Sequence, residues 1–71
     1  MPDDDFFEWL TEDERHAYNA LEERNRIVTD IYMQTPHDQR QALSGQLASI
    51  AGAMMRFNFL VHDRKKAGKK P

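Results

Sequence analysis

The chain has 71 residues, with 10 Lys or Arg against 12 Asp or Glu for a net charge of −2, and no cysteine. One domain is the most that length allows, and its core is small, since chains of this size bury only about 60% of their unfolded surface. Without cysteine, disulfides and a thiolate zinc site are excluded, so oligomerisation is the remaining aid to stability.

The first residues read Met-Pro-Asp-Asp-Asp, which is acidic where a secretory signal is basic and then apolar. No run approaches the ~20 apolar residues of a membrane span. A soluble, cytoplasmic protein is the expectation.

Asp3, Asp4 and Asp5 stand ahead of Phe6-Phe7-Glu8-Trp9-Leu10. Aspartates suit the positive end of a helix dipole, and Phe6, Trp9 and Leu10 share a face at helical spacing. The pattern predicts a short helix over about 4–10.

Thr11-Glu12-Asp13-Glu14 has the form of a capping box, in which the Thr11 hydroxyl and the Glu14 carboxylate each bond the other's backbone N–H. A long helix is predicted from about 12 to 33. Its apolar seam is Tyr18, Leu21, Asn25, Val28 and Tyr32, in steps of three and four. Asn25 is the polar member, a residue that can fix register if its amide is paired and otherwise sits solvated at the edge.

Thr35-Pro36-His37-Asp38 signals a reversal. Proline disfavours the α conformation at Thr35 and fits the first position of a new helix, with Thr35 as its cap and Asp38 as the box acid. A third helix is predicted over about 36–64, antiparallel to the second. Its seam runs Leu43, Leu47, Ile50, Met54, Phe57, Val61, and pivoting at Thr35 sets Leu21 against Ile50 and Tyr18 against Met54.

Around that seam lie Ala48, Ala51, Met55, Phe59 and Leu60, more apolar surface than one neighbouring helix covers. Ser44, Ala48 and Gly52 form a row of small residues, and glycine inside a helix costs up to about 1 kcal/mol unless close approach repays it. The architecture expected is therefore all-α: an antiparallel helical hairpin preceded by a short N-terminal helix, as one domain over 1–66. Two copies form a homodimeric bundle through Ala48, Gly52, Met55 and Phe59. The basic residues 67–71 are expected to be a disordered tail.

No motif carries a chemistry. His16, His37 and His62 are spread between the turn and the open end, so they cannot converge on a metal, and no carboxylate pair has the differing environments that acid–base work needs. No cofactor, metal site or catalysis is expected.

The acidic, aromatic start is the most function-like feature. Asp4, Asp5, Phe6, Phe7, Glu8, Trp9 and Glu12 resemble bulky anchors flanked by charge, as used to dock on another protein. The competing reading is that these rings close the open end of the hairpin. Arg64, Lys65, Lys66, Lys69 and Lys70 offer an alternative, phosphate contacts to nucleic acid, although no aromatic is interleaved to stack on bases. The leading expectation is a non-catalytic regulator, a helical dimer that docks on an intracellular protein and inhibits it, at the scale of accessory proteins carried by phages and mobile elements.

Overall fold

Two long helices account for most of the chain in the computed structural model, which describes residues 5–71. Helix α1 spans Glu12–Gln34 and helix α2 spans Gln41–Ala67. They pack along their length as a hairpin with extents of 47 × 23 × 17 Å.

Helix α1 starts at the capping box the sequence predicts. The Thr11 N–H donates to Glu14 Oε1 at 2.7 Å, and the Glu14 N–H donates to Thr11 Oγ1 at 3.2 Å. Three acids, Glu12, Asp13 and Glu14, occupy its first turn, where the helix dipole favours them.

The reversal falls at Thr35-Pro36, but its construction differs from the expectation. Thr35 ends α1: its backbone is extended (φ −89°, ψ 138°), as a residue before proline prefers, and its hydroxyl donates back to the Ile31 carbonyl at 2.6 Å. Having turned to α1, that hydroxyl caps nothing ahead. His37–Gln39 then form a single 3-10 turn, and α2 begins only at Gln41 rather than at 36. Arg40 fastens the corner, with Nε donating to the Thr35 carbonyl at 2.8 Å and its guanidinium 4.8 Å from the centre of the Tyr32 ring.

Across the seam Tyr18 meets Phe57, with ring centroids 5.7 Å apart and planes at 88°. Leu21 and Ile50 line one depression together. The seam itself is the one read from the sequence.

The far end of α2 is also extended, to Ala67 rather than 64. Gly68 closes it in the left-handed region at φ 69°, its N–H donating to the Lys65 carbonyl at 3.1 Å while the Lys69 N–H reaches the Arg64 carbonyl at 3.0 Å. That pair of bonds is a Schellman motif, and glycine adopts its geometry without a Cβ penalty. The basic last turn, Arg64, Lys65 and Lys66, suits the negative end of the helix dipole.

The N-terminal segment is not an α-helix but a single 3-10 turn over Phe6–Trp9. Asp5 precedes it without capping it, its carboxylate being taken by side chains across the fold. The turn lies against the end of α2 and closes the open side of the hairpin. Only Leu10, Val28, Ile50 and Val61 are buried among the described residues, a narrow core between the two helices and the entry segment.

Candidate functional site

Three surfaces bear on function: the closed end of the hairpin, a groove along one flank, and the outer face of α2.

At the closed end the rings form a chain. Phe6 lies 5.0 Å from Tyr18 and 5.4 Å from Phe7, Phe7 lies 5.7 Å from Tyr18, and Tyr18 continues to Phe57. Burial raises the Tyr18 hydroxyl pKa above its ordinary value, with the nearby Glu22 charge adding to the effect.

Arg64 pins this cap in place. Its Nη1 donates to the Trp9 carbonyl and to Glu14 Oε1, each at 2.7 Å, and its Nη2 donates to Glu14 Oε2 at 3.0 Å. The forked guanidinium thus ties the entry segment, the α1 cap and the end of α2 together. With Arg64 and the Thr11 N–H both on its carboxylate, Glu14 has its pKa lowered to about 2.

Outside that bridge, Lys65 Nζ reaches Asp5 Oδ1 at 3.0 Å, and the Trp9 indole N–H donates to Asp5 Oδ2 at 3.3 Å. Lys65 and Trp9 hold the Asp5 carboxyl below its usual pKa. Lys70 Nζ sits 5.3 Å from the centre of the Trp9 ring and 3.3 Å from Glu8 Oε2.

The residues expected to bind a partner are therefore largely engaged within the chain. Phe6, Trp9 and Asp5 are half-buried; Phe7, Glu8 and Glu12 are exposed; Asp4 lies outside the described residues. Of the cations expected to contact nucleic acid, Arg64, Lys65 and Lys70 lie on carboxylates, while Lys66 and Lys69 are exposed.

The groove is built from residues the sequence reading did not single out together. Leu21, Arg24, Gln46, Ser49, Ile50 and Ala53 line a depression of 270 Å³ between α1 and α2. Ala53 also lines the next depression, of 260 Å³, with Arg56, Phe57 and Leu60. The two adjoin at Ala53 along one flank, a trough with a mostly apolar floor and an arginine at each part. Neither Arg24 nor Arg56 has an acidic partner among the described residues. Ile27 and Ile31, three and seven positions beyond Arg24 on α1, are both about half exposed (46% and 49%).

The third surface is the outer face of α2. Met55 is 54% exposed and Phe59 61% exposed, one turn apart. Ala48 and Gly52 are exposed on the same face. A Cβ added at Gly45 or Gly52 would meet nothing within 4 Å, so the fold of a single chain does not call for glycine at either position.

His16, His37 and His62 are all exposed and stand in different parts of the hairpin. His16 Nε2 approaches Glu12 Oε1 at 3.8 Å, a contact in solvent. No described helix is long and apolar enough to cross a membrane.

No protein-family model matches this chain, and neither the curated proteins nor the solved structures contain a match to it. The arguments for function are therefore those of the surfaces themselves.

Proposed function

We propose that this chain is a non-catalytic binding protein that docks on another protein and regulates it. The observation that carries the reading is the trough along the α1–α2 seam, apolar at its floor and bordered by Arg24 and Arg56. Such a trough fits an amphipathic helix or extended segment whose apolar anchors fill the two depressions and whose acids meet the two guanidiniums. Half-exposed Ile27 and Ile31 enlarge the apolar contact on the α1 side.

This reading moves the docking surface away from the acidic, aromatic start. Phe6, Trp9 and Asp5 are spent in closing the hairpin, and Phe7 remains at the margin, 37% exposed. Nucleic-acid binding through the tail has less support, because the carboxylates of Glu14, Asp5 and Glu8 hold three of its cations.

The test is affinity capture from the native host, read by mass spectrometry, with wild-type chain beside an Arg24→Glu/Arg56→Glu variant. Both arginines are exposed, so the variant is expected to fold with unchanged circular dichroism. The wild type should enrich one protein that the variant loses. Equal capture by both chains would overturn the reading.

A further inference from the structure

The outer face of α2 makes a separate case, independent of the trough. From Gln41 to Met55, α2 carries no Asp, Glu, Lys or Arg at all, whereas the longest such run in α1 is six residues, His16 to Leu21. Depletion of charge is the compositional mark of an interface core. Only one side of that neutral stretch meets α1; Gly45, Ala48, Gly52, Met55 and Phe59 lie on the other side and are exposed.

The chain as a whole exposes 5498 Å², where a compact monomer of its 8.4 kDa is expected to expose about 4,600 Å². An interface of standard size covers ~800 Å² on each partner, so one such interface per chain would bring the exposed area to that of a compact monomer.

The order of residues on the face says what covers it. Small residues, Gly45, Ala48 and Gly52, occupy the first part, and bulky ones, Met55 and Phe59, the second. Turning a copy of this helix end for end about Gly52 lays Phe59 over Gly45 and Met55 over Ser49, beside Ala48, with Gly52 facing Gly52. Bulk meets hollow on both sides of the two-fold axis, the self-complementarity that an isologous interface requires. It also gives Gly45 and Gly52 a purpose, since a neighbouring backbone can approach closely where side chains are absent.

We infer that a second copy of this chain occupies the outer face of α2, with the two α2 helices antiparallel and crossing at Gly52. The result is a four-helix assembly with the α2 pair at its centre and an α1 on either flank.

The absence of cysteine makes the test direct. Gly52→Cys places one thiol near the two-fold axis, within disulfide reach of its symmetry mate. Ile27→Cys places one on α1, away from the axis. Under mild oxidation the Gly52→Cys chain should run as a covalent dimer while Ile27→Cys stays largely single. In parallel, Phe59→Glu, at a side chain that is exposed in the single chain, should halve the molar mass of the wild type without loss of helicity.

Equal cross-linking at the two sites, or an unchanged mass for Phe59→Glu, overturns the inference. Should Phe59→Glu unfold, the cross-linking comparison decides alone. Capture by the trough is read on Arg24 and Arg56, so a failure here leaves that reading standing, and the reverse also holds.

Discussion

Arg64 ties three segments of this fold together, the entry turn, the start of α1 and the end of α2. It satisfies a backbone carbonyl left open by the entry turn and closes a two-pronged bridge to Glu14, with both side chains only about a quarter exposed (23% and 24%). Exposed pairs contribute little, but a forked bridge that also anchors a backbone segment belongs to the stronger class. Replacing Arg64 with Ala should cost about 2 kcal/mol in urea denaturation. The ring chain around Tyr18 should loosen with it, visible as a change in near-ultraviolet circular dichroism.

Glu14 gives the same contact a pH signature. Its pKa falls from 4.5 to about 2 on folding, so its contribution is present above 4.5 and lost as pH drops through about 2. With allowance for solvent screening, the contribution is on the order of 1–2 kcal/mol. Glu14→Gln keeps the capping bond but removes the charge. The variant should be less stable than wild type at pH 7 and should converge with it near pH 2; a gap that is the same at both would show that the charge is not what matters.

At the scale of the element, local signals were legible and long-range ones were not. The Thr11–Glu14 box lies within four residues and depends on nothing distant, so the start of α1 could be read from the sequence. Thr35-Pro36 marked the reversal correctly, but whether a threonine hydroxyl turns forward or back depends on competing partners. Here it turned back to Ile31, and the residues that follow went into a 3-10 turn. That displaced α2's start to Gln41. The trough was beyond reach for the same reason: Arg24 and Arg56 are far apart in sequence, and only the register brings them to one flank.

The end of α2 offers its own check. Gly68 sits at φ 69°, where an L side chain is strained. Gly68→Ala should cost about 1 kcal/mol and fray the last turn. Lys69→Ala, which leaves the backbone donor to Arg64 untouched, should stay within about 0.5 kcal/mol of wild type. A chain indifferent to both changes would show that the closing motif adds nothing to stability.

At the scale of the molecule, the opposed charges of the two ends explain themselves. The acids of the entry segment and of α1's first turn meet the cations at the end of α2, through Asp5–Lys65, Glu8–Lys70 and Glu14–Arg64. What the single chain does not resolve internally is its apolar surface. Four buried side chains among the described residues are a slender core, and large apolar side chains stand open on both helices. On the two proposals above, the hairpin is half of a bundle, completed by a second α2 and carrying a trough for a further partner.

Sedimentation equilibrium of the wild-type chain, from low micromolar to submillimolar concentration, asks whether that half finds its complement. The molar mass should rise toward twice 8.4 kDa, and the thermal midpoint should climb with concentration because assembly stabilises the folded state. A constant mass of 8.4 kDa with a midpoint independent of concentration would contradict it.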